Sequence, residues 1–465
     1  MKRTKTKRTT DRRRELPSVS SLLESPEGRE LTARYPRPDV VELIRRVLAE
    51  HRRDRTAAVP GSVIAQIRNA LAAADRARLR PVVNATGIIL HTGLGRAVLP
   101  QVAVNALAGL NRCCNLQINL ETGLRGKRDH ALEQLLCKLT GAEAALVVNN
   151  NAGATLLILR ALCEGREVIV SRGQLIEIGG SYRLPDCVHQ SGATLVEVGT
   201  TNKTHLRDYE RAIGKETAAV MRVNPSNYRI VGFAQQVALP ELAGLKKKHR
   251  RLLVIDDLGC GVLVDLQKYG LPHEPTVQES IKAGADLVCF SGDKMIGGPQ
   301  AGIIVGRRDL VQRIRKHPLT RMLRADKLLT MALENTLRLF LDPETLPLKH
   351  PTYRMLTEPP ESLKRRADAL HQRLAGFVRE LELRVVEDES EVGGGSLPAT
   401  PLPTFALAVK SPRVPAAELA LRLRYHEPPV IARIRNREVL LDMRTLMEGD
   451  EAAIESALAE TARPR

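Results

Sequence analysis

The stretch Ala285-Asp-Leu-Val-Cys-Phe-Ser291-Gly292-Asp293-Lys294-Met295-Ile296-Gly297-Gly298-Pro299-Gln300-Ala301-Gly302 decides how the chain is read. Residues 287–290 are an apolar run of strand length that stops at Ser291-Gly292, a loop signal. A single lysine follows, then a Gly-Gly-Pro turn. A lysine at the end of a buried strand is costly to place unless its amine is used, and an amine with a lowered pKa can serve as nucleophile or base. An arbitrary Ser-x-x-Lys is more often a solvated loop, so the weight given to Lys294 depends on what the rest of the chain supplies.

Outward from that stretch, short apolar runs at 144–148, 168–171, 194–198, 218–223, 252–256, 287–290 and 302–305 alternate with helical patterns. That alternation predicts a mostly parallel α/β sheet covered on both faces. Ligands of such sheets bind beyond the carboxyl ends of strands. One strand end carries Asn149-Asn150-Asn151-Ala152-Gly153-Ala154 before an apolar helix at 155–163, a helix start suited to a phosphate. Others carry the paired glycines Gly179-Gly180 and the polar cluster Asn224-Pro225-Ser226-Asn227-Tyr228. A fourth carries Asp256-Asp257-Leu258-Gly259-Cys260, where two carboxylates need partners and spacing does not choose between them. Pyridoxal phosphate (PLP) chemistry needs a phosphate cradle, a carboxylate that keeps the pyridine nitrogen protonated, and a Schiff-base lysine. The chain offers these in that order: Asn151 to Ala154, an aspartate, and Lys294 with Ser291 beside it. The order resembles the aspartate-aminotransferase-like (fold type I) PLP enzymes.

A chain of 465 residues can bury a large core and suggests two or three domains. No apolar run approaches the ~20 residues of a membrane span, and the basic N-terminus has no apolar segment of a secretory signal after it. Seven cysteines without a C-x-x-C pair read as reduced thiols of a cytoplasmic protein, and there is no zinc pattern. A net charge of +18 points to a polyanionic partner, while the absence of Trp argues against base stacking on exposed rings. Residues 1–14, MKRTKTKRTTDRRR, hold eight basic residues and one acidic one, a tail that could lie on phosphates or only solubilise. Leu16-Pro17-Ser18-Val19-Ser20-Ser21-Leu22-Leu23 reads as a capped helix start, with Ser before an apolar pair, and 40–51 and 64–79 as arginine-rich amphipathic helices. Residues 1–80 are thus expected to be a basic helical module facing RNA, and 81–342 the PLP-binding catalytic domain. His91 and Arg96 lie in a Gly-punctuated loop where either a site or a structural role is open. Pro343, Pro347, Pro351, Pro359 and Pro360 read as a linker, followed by a helix at 363–383 and strands at 405–409, 430–434 and 439–441 in a small α+β domain, 343–465.

The segments VVNNNAGATLL (147–157), SRGQLIEIGGSYRLPD (171–186), EVGTTNKTH (197–205), SNYRIVGF (226–233), DDLGCGVL (256–263), SGDKMIGGPQAGIIVG (291–306) and LRADK (323–327), in one order, carry a closer resemblance. With LPSVSSLL (16–23) and GGGSLP (393–398) the chain resembles the bacterial selenocysteine synthases, the L-seryl-tRNA(Sec) selenium transferases, essentially end to end. The resemblance implies PLP-dependent exchange of the serine hydroxyl on seryl-tRNA(Sec) for selenium from selenophosphate, by a homo-oligomer, a decamer built as a pentamer of dimers. It makes Lys294 the PLP lysine and Asp257, directly before Leu-Gly, the pyridine partner, with Asp256 the runner-up. It assigns Arg321 and Arg324 to the phosphate-bearing donor, and their i, i+3 spacing predicts one shared helix face. Arg96 is the third cation, with its own or a neighbouring subunit as the source. Two positions depart from the family pattern: Gly93 stands where Asn is common, and Asn224 where His is frequent, which leaves the ring-stacking group unassigned. A fold type I enzyme acting on a free amino acid would keep Lys294 and Asp257 but has no need of a basic module. A tRNA-binding protein on a decayed scaffold has no need of an intact lysine, aspartate and glycine loop.

Overall fold

The computed structural model describes residues 16–54, 60–75, 78–376, 378 and 380–461, in two compact units, Met1–Pro81 and Val82–Arg465. The basic run 1–14 lies outside the described residues.

The first unit is helical: α1 (Val19–Glu24), α2 (Pro26–Arg34), α3 (Arg37–Asp54) and α4 (Pro60–Asp75). Ser18 and Ser25 cap α1 and α2, their hydroxyls accepting from the Ser21 and Gly28 amides at 3.0 Å, each cap being worth about 1 kcal/mol. A Cβ at Gly28 would sit 1.9 Å from the Leu22 carbonyl oxygen, so only glycine lets α2 pass this close to α1. Leu22, Leu31, Val40, Ile44, Ile67 and Leu71 form the core. The pattern at 64–79 overruns the helix: α4 ends at Asp75 and Leu79 is exposed, ahead of Pro81, which biases its predecessor away from helix.

In the second unit the strands are β1 (Val83–Ala85), β2 (Ala144–Val148), β3 (Glu167–Ser171), β4 (Glu177–Ile178), β5 (Tyr182–Arg183), β6 (Thr194–Val198) and β7 (Thr217–Val223). They continue with β8 (Leu253–Gly259), β9 (Leu287–Ser291), β10 (Gly302–Gly306), β11 (Glu382–Ser390), β12 (Leu402–Lys410), β13 (Val430–Arg435) and β14 (Glu438–Asp442). Seven of them form one sheet in the order β2-β10-β9-β8-β7-β3-β6, parallel except for β10, which runs antiparallel to both neighbours. This is the mostly parallel α/β sheet that the alternating pattern predicts. Alternate residues of each strand serve opposite cores: Val147, Val220, Val254, Val288 and Ile303 face one, and Leu146, Met221, Ile255, Cys289 and Ile304 the other. That two-sided burial explains the continuous apolar runs.

Four local readings change. The helix expected at 155–163 begins at Asn151, because Asn150 caps it; this is Asn151–Cys163, with the Asn150 Oδ1 accepting from Gly153 N at 2.7 Å. The prolines read as a linker mostly start helices: Pro351 and Pro360 open Pro351–Thr357 and Pro360–Ala375. The ring fixes the backbone angle a first helical turn needs and lacks only an N–H that would be unbonded there. Leu346, Tyr353, Met355 and Leu356 join the main core, so this stretch is structural. The helix expected at 363–383 ends at Ala375, and Glu382–Ser390 is instead a charged edge strand.

That strand belongs to a five-stranded sheet, β1-β13-β14-β12-β11, backed by the helices Pro360–Ala375, Ala416–Tyr425 and Asp450–Thr461. β1 pairs parallel to β13, so residues before the large sheet share a sheet with the last strands of the chain. Beyond β1, Ile89 N and Leu90 N donate to the Glu391 and Val392 carbonyls at 3.0 and 2.7 Å. The loops that follow, toward Arg96 and along Gly393 to Ser396, are therefore placed by one seam.

His350 supports the turn after Lys294. Its Nε2 donates to the Ile296 carbonyl at 2.9 Å, which fixes the neutral tautomer, and a Cβ at Gly297 (φ +65°) would sit 2.0 Å from its Cε1. Phe340 and Tyr353 pack edge-on against the ring. Burial pushes His350 down to about 4, with the bonds to Ile296 and within its own backbone opposing. The unfolded chain therefore takes up this proton first as pH falls, and stability is lost from about pH 6.5 down to about 4, by roughly 3 kcal/mol at most. Urea unfolding across that range should show a steeper loss in the parent than in His350→Gln, which keeps a donor but does not titrate; identical slopes would refute the account.

Candidate active site

The two aspartates of β8 are separated by sheet register. Asp256 lies opposite Arg222 of β7, so both side chains point to one face, and the guanidinium binds the carboxylate twice, Nε to Oδ1 at 2.6 Å and Nη2 to Oδ2 at 2.7 Å. Asp256 is fully buried and fully paired. Asp257 points to the opposite face, toward the helix Asn151–Cys163. Its Oδ1 accepts from Asn151 Nδ2 at 2.9 Å and from the Gly259 amide at 3.1 Å, and its Oδ2 from Thr155 Oγ1 at 2.9 Å. The Gly259 bond exists because β8 bulges against β9 just after Asp257, with Gly259 at φ +67°. Among the described residues no cation lies within ion-pair distance of Asp257. Burial raises its pKa above the usual carboxylate value, and the three hydrogen bonds and the charge of Lys294 only oppose that.

Lys294 shares this cavity at the carboxyl ends of the parallel strands. It is 6% exposed, and burial lowers its pKa, the charge of Arg96 adding to the effect while Cys260 and Asp257 oppose it. Arg96 reaches the cavity of its own chain: it is held in the left-handed region (φ +64°), and its Nη1 meets Asp293 Oδ2 at 2.6 Å. A non-glycine residue at that angle is strained by about 1–3 kcal/mol, and it aims the side chain at the residue next to the lysine. His91 does not line the cavity; it packs by Gly93, where a Cβ would come within 3.3 Å of its ring.

Of the phosphate-loop residues, Asn151 and Ala152 line the cavity, as does Ser291 at the end of β9. Gly153 and Ala154 turn into the structure: the Gly153 amide is taken by Asn150, and Ala154 is buried against the close approach of Gly302. Arg321 and Arg324 are not on one helix face. The helix Pro318–Met322 stops before Arg324, because Asp326 caps the next helix, Lys327–Arg338, its Oδ1 accepting from Leu329 N at 2.8 Å. Arg324 instead forms a bridge to Val148 at the end of β2. Both arginines line a second, basic cavity with Lys127, Arg128 and Lys316, not the one that holds Lys294. That segment adjoins the phosphate-loop turn, Asn149 N donating to the Leu323 carbonyl at 2.8 Å.

Further groups border the cavity. Tyr182, on the β4–β5 hairpin made by Gly179, Gly180 and Ser181, lines the cavity with its hydroxyl against the Cys187 thiol, and Asn151 Oδ1 is buried and unbonded among the described residues. Gly395 brings its backbone so close that a Cβ would lie 3.6 Å from Lys294 Nζ. The paired glycines before Tyr182 and the Gly-Gly-Gly run were the available signals. Asn224 points to Glu274, its Nδ2 donating at 2.9 Å, and Cys260 is a fully buried thiol donating to the same carboxylate.

Residues 82–447 match the family model "L-seryl-tRNA selenium transferase", and residues 13–52 match "Selenocysteine synthase N terminal". The chain belongs to the L-seryl-tRNA selenium transferase family. Relatives named L-seryl-tRNA(Sec) selenium transferase include one from Alkaliphilus metalliredigens, 46% identical over 97% of this chain and 98% of that one. Another, from Moorella thermoacetica, is 47% identical over 96% of each chain. Among solved structures, that of D-glucosaminate-6-phosphate ammonia-lyase matches the fold with a TM-score of 0.56 and 20% identity, over 83% of this chain and 96% of that one.

The pairing of Arg222 with Asp256 is testable by stability. Arg222→Leu should cost about 3–5 kcal/mol in denaturant unfolding, because it strands a buried charge, and Arg222→Leu with Asp256→Leu should recover most of it. A single variant as stable as the parent would show that Asp256 does not depend on Arg222.

Proposed function

We propose that this chain converts L-seryl-tRNA(Sec) to L-selenocysteinyl-tRNA(Sec), with PLP as cofactor and selenophosphate as selenium donor. The observation that carries the reading is the buried, hydrogen-bonded Asp257 carboxylate, without a cation in contact among the described residues, in one cavity with a buried amine and a helix start. A protonated pyridine nitrogen is a cation of the kind that carboxylate lacks. The Asn151 Oδ1, unbonded among the described residues, also fits a polar ring rather than an apolar ligand. PLP bound there would supply an electron sink that acidifies the Cα proton of the seryl group and activates its Cβ hydroxyl for departure.

The protein's own groups divide the remaining work. Asn151, Thr155 and the Gly259 amide hold the Asp257 carboxylate still, so it would meet a pyridine nitrogen without reorganising. Asn151 and Ala152 open the helix where a phosphate would meet unbonded N–H groups and the positive dipole end, and Ser291 borders it. Gly153 and Ala154 let that turn pack closely. Lys294, its pKa lowered by burial, is more readily neutral and can take a proton from Cα and return it. Arg96, anchored on Asp293, puts a fixed positive charge at the same end of the cavity.

We assign Arg321 and Arg324 to the phosphate end of selenophosphate, on the basic composition of their cavity and its position against the phosphate-loop turn. Residues 1–80 are assigned to tRNA binding, on their arginine density and the net charge of +18. The homo-oligomer, a decamer, remains part of the proposal. So does the cytoplasmic setting, which is supported by seven free thiols; no helix among the described residues is long and apolar enough to cross a membrane.

Purified Lys294→Ala should lose the visible absorption band of the parent and all selenium transfer to seryl-tRNA(Sec). Asp257→Asn should keep PLP but turn over about a hundredfold or more slower. Full turnover in Asp257→Asn, with Asp256→Asn inactive yet folded, would reverse the assignment of the two aspartates.

A further inference from the structure

A second cleft opens beside the lysine cavity. Ser226 lines both, and Gly395 lies between the cleft and Lys294. The cleft measures about 580 Å³, within the range of small-molecule sites. Its wall is the segment 393–399, where Gly393, Gly394, Gly395, Leu397 and Ala399 all adopt positive φ. Left-handed angles at Leu397 and Ala399 carry strain that surroundings must hold, a feature concentrated at functional loops. The loop is wedged in place: a Cβ at Gly393 would sit 2.5 Å from Ile88 and one at Gly394 2.8 Å from Leu90. Within this wall Ser396 is 3% exposed, and its hydroxyl has no hydrogen-bond partner among the described residues. An unbonded buried hydroxyl costs about 1–3 kcal/mol unless a ligand satisfies it. On the far side Arg433 and Arg435 are anchored, Arg433 on Asp442 at 2.8 Å and Arg435 on Asp388 at 2.7 Å, with Arg435 about half exposed.

We propose that this cleft binds the 3′-terminal nucleoside of the aminoacylated RNA, so that the ester arm passes the side-chain-free face of Gly395 to reach Lys294. The inference rests on the function proposed above and names the part of the substrate that this cleft holds. Asp388, Glu389 and Glu391 line the cleft as well and both arginines are paired, so the cleft suits the uncharged part of the nucleoside: its ribose hydroxyls and base offer donors to these carboxylates and both donors and acceptors to Ser396 and Thr400. Gly395 lacks a side chain because one there would narrow the passage beside Ser226 and Nζ.

The test compares two esters of serine on the PLP-loaded protein, 3′-O-L-seryl-adenosine and L-serine methyl ester, by the concentration that half-saturates the change in the visible band. The parent should respond to seryl-adenosine at a concentration at least about tenfold lower. Ser396→Ala should shrink that preference about fivefold with the methyl ester response unchanged, one hydroxyl bond being worth about that factor. The methyl ester also reports whether a variant still has a working lysine site; should Ser396→Ala lose it, Thr400→Val is read in its place, with the same loss of preference expected. Equal response of the parent to the two esters, or a preference untouched in the variants, overturns the cleft assignment alone. A parent band that shifts with seryl-tRNA(Sec) but with neither ester also overturns the cleft assignment alone, whereas no visible band after PLP is added overturns the proposed cofactor chemistry, and the cleft assignment with it.

Discussion

The site depends on a carboxylate that the fold buries without a cation. Two adjacent aspartates leave β8 on opposite faces, as strand geometry requires. Asp256 meets Arg222 across the ladder and is neutralised there, while Asp257 receives three hydrogen bonds and no positive partner among the described residues. Hydrogen bonds to an ionised carboxylate hold it in place, but burial still works against its charge. Such a group is stable only if the surroundings are over-determined, and here they are: the helix start supplies Asn151 and Thr155, and the bulge supplies Gly259. A cationic ring nitrogen would relieve the remaining cost, which would make cofactor binding and the integrity of this corner two expressions of one electrostatic balance.

Around that corner, two sheets cooperate. The seven-stranded sheet delivers Asp257, Ser291 and the Lys294 turn from its carboxyl ends, and His350 holds the turn from beneath. The five-stranded sheet delivers Arg96 and Gly395 through the seam between 89–90 and 391–392. Neither sheet alone encloses the lysine. The pKa of Lys294 is lowered mainly by that enclosure, so the reactivity of the amine is a consequence of packing between segments far apart in the chain.

Much of this was legible in the sequence. The seven strands of the large sheet are apolar on both faces, and such runs are readable one at a time. Lys294, Asn151 and Ala152 were legible because each stands at the punctuated end of such a run, and so do Asp256 and Asp257, between which spacing does not choose. What depends on pairing was not: that β1 joins β13, or that Asp256 rather than Asp257 takes Arg222, is decided by register, which local pattern does not carry. Arg321 and Arg324 were misplaced for a different reason. Their spacing fits a helix, but an Asp two residues on caps a new one and ends the old. The prolines after 342 were read as a linker because punctuation alone does not distinguish a break from a helix start. Tyr182 and Gly395 became visible only when distant loops met at the cavity.

The central claim is that Lys294 and Asp257 hold a PLP cofactor whose substrate is serine on the selenocysteine tRNA. The most direct measurement is the visible absorption of the purified protein titrated with seryl-tRNA(Sec), with seryl-tRNA(Ser) and free serine as controls. The account predicts a band near the lysine-bound cofactor's absorption that shifts with seryl-tRNA(Sec) and with neither control. A band that shifts with free serine alone, or no band after PLP is added, would contradict it.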